Sequence, residues 1–181
     1  MSLPAPTPEA AEHSARLAAH IRAAITDAGG WLPFARYMEL ALYAPGLGYY
    51  MAGARKLGPD GDFTTAPELT PLFGHAIARQ VSDLLALGLT EVLEIGAGSG
   101  ALAASVLEEL EHLGTLPDRY LILELSADLR ARSRDAIAAR VPHLMERVAW
   151  LATLPPVFTG VVLGNEVLDA MPVEVVRTTA G

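Results

Sequence analysis

The residues with the clearest chemical potential surround a glycine-rich run. Val92-Leu93-Glu94-Ile95-Gly96-Ala97-Gly98-Ser99-Gly100-Ala101-Leu102 reads as an apolar strand, three alternating glycines and the start of a helix. Glycine lets the chain turn tightly and lets a ligand lie against the main chain. A helix start offers N–H groups and a positive dipole end to an anionic group. The spacing Gly96-x-Gly98-x-x-Ala101 also satisfies the relaxed dinucleotide fingerprint. Glu94 stands just ahead of the loop, where a carboxylate suits a cation or an oriented water and suits a pyrophosphate poorly. Glu124 ends the next apolar run, where a carboxylate can accept hydrogen bonds from two ribose hydroxyls. Asn165, Glu166 and Asp169 follow the last short apolar run and offer amide and carboxylate groups to a substrate nitrogen or a cationic ligand. Thr64 and Thr65 precede Pro67, where they bind a ligand, orient backbone or close a structural turn.

Several other chemistries are excluded or disfavoured. The 181 residues contain no Cys, so disulfides, thiolate metal sites and cysteine nucleophiles are absent. The five His residues show no metal-ligand spacing. Ser99 is not a hydrolase nucleophile, because Ala97 occupies the first glycine of the required elbow. Lys plus Arg is 13 against 21 Asp plus Glu, a net charge of −8, which argues against a broad nucleic-acid groove. The Arg55-Lys56 pair reads as solvated loop. No run of 18 or more uncharged apolar residues predicts a membrane span, and Glu9, Glu12 and Asp27 fit a transit peptide poorly.

The elements that must position these groups follow from periodicity. Leu17, Ile21 and Ile25 predict a helix over 9–28, stopped by Gly29-Gly30. Pro33 opens a second helix with Phe34, Tyr37, Met38 and Leu42 on one side, ending before Pro45. Residues 43–69, punctuated by glycines, predict a long loop that binds something. Pro67 opens a helix over 68–87 with Leu69, Leu72, Phe73, Ile77 and Val81 as its apolar face. Beyond it, strands over 91–95, 120–125, 148–151 and 160–164 alternate with helices over 101–113 and 127–140, the latter capped by Ser126. Residues 172–176 offer a further strand. Such alternation predicts a parallel sheet covered on both faces, with ligands at the C-terminal strand edge and the fourth strand beside the first. The chain ends near its fourth or fifth strand, and the expectation is a sheet truncated there.

Glu94-x-Gly96-x-Gly98-x-Gly100 resembles the first motif of class I S-adenosylmethionine-dependent methyltransferases. That resemblance implies a Rossmann-like α/β fold with S-adenosyl-L-methionine on Glu94, Gly96, Ala97, Gly98, Gly100 and Glu124. It places Trp150 beside the adenine, with core packing as the alternative. Three further blocks resemble the MidA family: Phe34–Tyr50, with Tyr37-Met38, Leu42-Tyr43-x-Pro45 and Gly48-Tyr49-Tyr50; Gly61-Asp62-Phe63-Thr64-Thr65-Ala66-Pro67-Glu68-Leu69, followed by Phe73-Gly74; and Asn165-Glu166-x-x-Asp169-Ala170-x-Pro172. The resemblance covers roughly residues 30–176, and family members are about twice this length. It implies methylation of an arginine in a core subunit of respiratory complex I. Glu166 and then Asp169 are the candidates to hold the guanidinium, with Asn165, Thr64 and Thr65 on the cofactor and Tyr49 and Tyr50 lining an acceptor channel or packing in the core. It divides the chain into an N-terminal helical and loop region over 1–87 and the first part of the cofactor domain over 88–181. The implied location is the cytoplasm of a bacterium or the mitochondrial matrix. A non-catalytic assembly protein retaining the cleft is the alternative, and Glu94 argues against a nicotinamide oxidoreductase.

Overall fold

Short apolar runs rich in Val, Ile and Leu pair as strands because both their faces find cover. In the computed structural model, which describes residues 5–52 and 64–178, four such runs form one parallel sheet. They are β1 (Glu91–Ile95), β2 (Arg119–Leu123), β3 (Val148–Leu151) and β4 (Val161–Gly164), in the order β3-β2-β1-β4. β4 therefore lies beside β1, as the topology argument expects. The register sets Val92 beside Tyr120 and Val161, and Glu94 beside Ile122 and Leu163.

The described residues fall into two compact units, one of residues 64–167 and one of residues 5–52 with 168–178. The first holds the sheet and the helices α3 (Ala66–Leu69), α4 (Pro71–Leu85), α5 (Ala101–His112) and α6 (Ala127–Arg140). Its core joins Val92, Tyr120, Ile122, Val148 and Val161 to Ala78 and Val81 of α4, to α5 from Leu102 to Leu110, and to Ile137 of α6. By alternation these strand residues share one sheet face. On the opposite face Val162 is 54% exposed and Ala149 is exposed. Leu93 and Leu121 of the two central strands, on that same face, are buried.

The helix expected over 68–87 is broken in two. Thr70 is extended, with φ −162° and ψ 142°, because the ring of Pro71 excludes the helical region for the residue before it. Thr70 then caps α4 through its hydroxyl, which accepts from the Leu72 N–H. The buried face of α4 is Gly74, Ala78 and Val81, while Leu69 and Leu72 are exposed. Small residues win there because α4 approaches α5 closely, and a Cβ at Gly74 would collide with the Ser105 side chain. The salt bridge from Arg79 to the buried Glu109 carboxylate, 3.0 Å, ties the same two helices.

α6 begins as expected, with the Ser126 hydroxyl accepting from the Leu129 N–H at 3.4 Å. Ser126→Ala is expected to cost about 1 kcal/mol, read as a melting temperature lower by about 2–4 °C. A turn of 3₁₀ helix over Pro142–Arg147 leads into β3, and sequence periodicity gives no sign of it.

The second unit contains α1 (Pro8–Asp27) and α2 (Phe34–Tyr43). Leu17, Ile21 and Ile25 are half-buried, as their spacing predicts. On α2 the buried residue is Leu40, while Phe34 and Tyr37 are exposed, against expectation. After α2 the chain folds back, with Tyr49 N–H on Ala41 and Tyr50 N–H on Leu42 carbonyls, both 2.9 Å. Only glycine fits at 48 in that turn, since a Cβ would sit 2.5 Å from the Ala44 and Tyr43 nitrogens. Residues 172–178 form no strand. Arg55-Lys56 and Gly61-Asp62-Phe63 lie outside the described residues. No described helix is long and apolar enough to cross a membrane.

Candidate functional site

The glycine loop leaves the C-terminal end of β1 and enters α5. Gly96, Gly98 and Gly100 have φ of 68°, 55° and 85°, a left-handed region that penalises a Cβ. The Gly96 N–H still extends the ladder to Leu123, 2.9 Å. Three further N–H groups of the loop and helix start already have partners. Gly98 N–H meets Glu124 Oε2 at 3.3 Å, Gly100 N–H the Ala97 carbonyl at 2.9 Å, and Ala101 N–H the Ser99 hydroxyl at 3.3 Å. A side-chain carboxylate thus already occupies part of the place that a pyrophosphate would need.

Glu94, the fourth residue of β1, is 2% exposed. The Tyr120 hydroxyl donates to its Oε2 at 2.6 Å from β2. Burial raises the Glu94 pKa from 4.5 to about 7; the Tyr120 hydrogen bond opposes this and the Glu124 charge adds to it. Burial likewise pushes the Tyr120 phenol well above its usual range, with Glu94 reinforcing the shift. Glu124 lies beyond β2, 7% exposed, and its Oε1 accepts from the Ser126 N–H at 3.0 Å. Burial raises its pKa too, against the Ser126 and Gly98 N–H groups and the charge of Arg130. Arg130 of α6 donates to the Glu124 main-chain carbonyl at 2.8 Å, and its buried Nε has no partner among the described residues.

A third carboxylate reaches the loop. Glu68 of α3 accepts from the Ser99 hydroxyl. Thr65 is the N-cap of α3 without a side-chain cap bond, and Thr64 just before it is exposed. Ala97 is buried within the loop, at 8% exposure. The Trp150 indole turns to α6, where it donates to Ser133 at 3.0 Å under the Arg134 guanidinium, 4.3 Å from the ring centre.

At the end of β4, Asn165 is half-buried and Glu166 exposed. Glu166 has φ 51°, alone among the described non-glycine residues in being left-handed. Such strain collects at functional positions. Val167 beside it lies 3.2 Å from where a Gly96 Cβ would stand, so the end of β4 packs on the glycine loop. Asp169 belongs to the other unit, exposed, on the 3₁₀ turn Leu168–Ala170. There the Tyr43 hydroxyl donates to the Ala170 carbonyl at 2.8 Å. Tyr50 stacks on Tyr43 at 5.6 Å and meets Tyr49 edge-on at 5.1 Å.

One local group thus comprises Glu94, Gly96, Ala97, Gly98, Gly100 and Glu124, with the end of β4 against it. Sequence reasoning missed Glu68 and Tyr120 as members. Glu68 stood in view beside Thr64 and Thr65. Tyr120 carried a signal as well: a phenol in an otherwise apolar strand needs a buried partner.

Comparison with known proteins bears on this geometry. Residues 73–181, more than half of the chain, match the family model described as "Putative S-adenosyl-L-methionine-dependent methyltransferase". Among curated proteins, the chain is 30% identical over 188 residues to the mitochondrial protein arginine methyltransferase NDUFAF7 homolog of Drosophila melanogaster, with 91% of this chain and 43% of that protein covered. The rat protein arginine methyltransferase NDUFAF7 is 26% identical, with 95% and 45% covered. Among solved structures, a Burkholderia thailandensis protein described as a likely methyl transferase and bound to S-adenosyl-homocysteine superposes with a TM-score of 0.89. It is 55% identical, with 94% of this chain and 46% of that chain covered. The chain therefore spans less than half the length of these relatives.

Proposed function

This chain belongs to that family of S-adenosyl-L-methionine-dependent methyltransferases, and from that premise we propose that its glycine loop binds S-adenosyl-L-methionine for methyl transfer to a protein arginine. The observation that carries the reading is the ring of carboxylates about the loop. Glu94, Glu124 and Glu68 lie beside it or hydrogen-bond to it. Like charge would repel a pyrophosphate there, whereas this cofactor carries two cationic centres, its sulfonium and its ammonium. The same carboxylates disfavour a nicotinamide cofactor.

The residues fit such a ligand. Glu124 spends one lone pair of each oxygen on a backbone N–H and keeps others for the ribose hydroxyls. Gly96 and Gly98 give the ligand access to the main chain, and Trp150 on β3 marks the adenine side. Glu68, with Thr64 and Thr65, covers the cleft. Asn165 serves the methionine end of the ligand. When bound, the cofactor supplies an electrophilic methyl group on sulfur. The chain's task is alignment and electrostatics. Glu166 is the proposed partner of the arginine, accepting two N–H bonds so that the remaining nitrogen faces the methyl group in line. Asp169 is the second candidate.

The relatives named as protein arginine methyltransferases support the acceptor class. The finer assignment is a core subunit of respiratory complex I, giving symmetric dimethylarginine, in the mitochondrial matrix or the bacterial cytoplasm according to host. Calorimetric titration of the 181-residue chain tests the premise. Saturable binding of S-adenosylmethionine and S-adenosylhomocysteine, with none of NAD, is the expected result. Binding of NAD alone would overturn it. Binding of the first two without turnover on any arginine peptide would favour the non-catalytic assembly role.

A further inference from the structure

Tyr120 is wholly buried, with no exposed surface. It stands in β2 among Leu121, Ile122 and the apolar core of α5. Phenylalanine would fill that slot without desolvating a hydroxyl. The hydroxyl instead reaches diagonally across the β1–β2 pair to Glu94 Oε2 at 2.6 Å, a well-formed hydrogen bond. Among the described residues, Tyr120 is the donor to the Glu94 side chain. The other titratable neighbour, Glu124 at the end of β2, repels the Glu94 charge, with Arg130 of α6 behind it. β4 contributes apolar Leu163 in register. One donor therefore opposes burial and a like charge.

We propose that Tyr120 is a positioning residue for the cofactor: it holds one oxygen of Glu94 from the core side, so that the carboxylate presents its other oxygen, charged, to the cofactor's ammonium group. The ammonium rather than the sulfonium is the partner because the sulfonium methyl must stay open to an attacking nitrogen. A carboxylate 2% exposed at the base of the loop suits the end that does not react. This inference rests on the cofactor reading above.

Binding of the ammonium then favours ionised Glu94. Because Glu94 titrates near 7 in the unliganded protein, affinity rises with pH through that region. Losing the phenol removes the interaction that lowers the Glu94 pKa, so the rise moves to higher pH. The test is calorimetry with S-adenosylhomocysteine, whose only fixed cation is the ammonium, between pH 5.5 and 8.5. Tyr120→Phe is expected to raise the midpoint by about one pH unit and to weaken binding at pH 7 by up to about tenfold. The loss should shrink toward pH 8.5. In a Glu94→Gln background, where no charge remains to titrate, Tyr120→Phe should leave the pH profile unchanged. An unaltered midpoint in Tyr120→Phe, or an equal loss at every pH, overturns the proposal and leaves Tyr120 a packing residue. No S-adenosylhomocysteine binding by the unsubstituted chain overturns the cofactor reading itself.

Discussion

Glu94→Gln is expected to stabilise the unliganded protein at pH 8 while removing most of its affinity for S-adenosylmethionine. In the folded chain Glu94 holds its proton up to about pH 7, against 4.5 for the ordinary carboxyl group. Between those values the folded state binds a proton that the unfolded state has released, so stability falls as pH rises. The fall is complete above the folded value and amounts to at most about 3 kcal/mol. Glutamine keeps the shape and an acceptor for the Tyr120 hydroxyl, and it has no charge to bury. Denaturant unfolding should therefore show little difference between the two proteins near pH 4.5 and a growing advantage for the variant up to pH 8. The same change replaces a charge-assisted contact to the cofactor by a neutral one, a loss of about 1.5–3 kcal/mol or roughly 10- to 150-fold in affinity. A variant no more stable at pH 8 than at pH 4.5, relative to the unsubstituted protein, would show that Glu94 is not held protonated. Unchanged affinity would remove Glu94 from the cofactor site.

Gly100→Ala carries a large expected loss of stability. Its φ is 85°, and a Cβ there would stand 2.8 Å from the Ser133 Cα and 2.9 Å from the Ser133 Cβ and carbonyl oxygen. Neither the start of α5 nor the body of α6 can yield without shifting a helix. Left-handed strain of about 1–2 kcal/mol adds to an overpacking cost of about 1–3 kcal/mol. Gly88→Ala is the internal control, since Gly88 has φ 97° with nothing within 4 Å. It should show the strain alone. If both variants unfold at the same denaturant concentration, the contact between α5 and α6 is looser than the structure has it.

The sheet and its order were legible because each strand is a short apolar run bounded by turn residues. Ser126 as the α6 cap, Val148–Leu151 as β3 and the placing of β4 beside β1 all follow from local pattern and right-handed crossover. The break at Thr70 was legible in principle, since Pro71 restricts the residue before it, but a strong apolar spacing across Leu69, Leu72 and Phe73 outweighed it. The buried face of α4 was not, because Gly74 and Ala78 are buried by close helix approach rather than by apolarity. Around the glycine loop, the carboxylates at strand ends were visible as such. Their partners were not: Tyr120 and Glu94 are 26 residues apart, and Ser99 and Glu68 are 31 apart. Only strand register and the return of α3 bring those pairs together.

The strand order also favours an order of assembly. β1 pairs with β2, and β2 with β3, across 28 residues each, from Val92 to Tyr120 and from Tyr120 to Val148. β1 pairs with β4 across 69, from Val92 to Val161. Chain closure costs more entropy as the loop lengthens, and pairings distant in sequence form late. The three-stranded β1–β2–β3 layer with α5 and α6 can condense around neighbouring contacts first. β4, an edge strand of four residues, then docks onto a finished surface. Glu94 and Glu124 take their places in the first stage, whereas Asn165, Glu166 and Val167 arrive with β4. The two sides of the glycine loop thus rest on pairings of different sequence separation, and a ligand that touches both ties β4 to the rest of the described sheet.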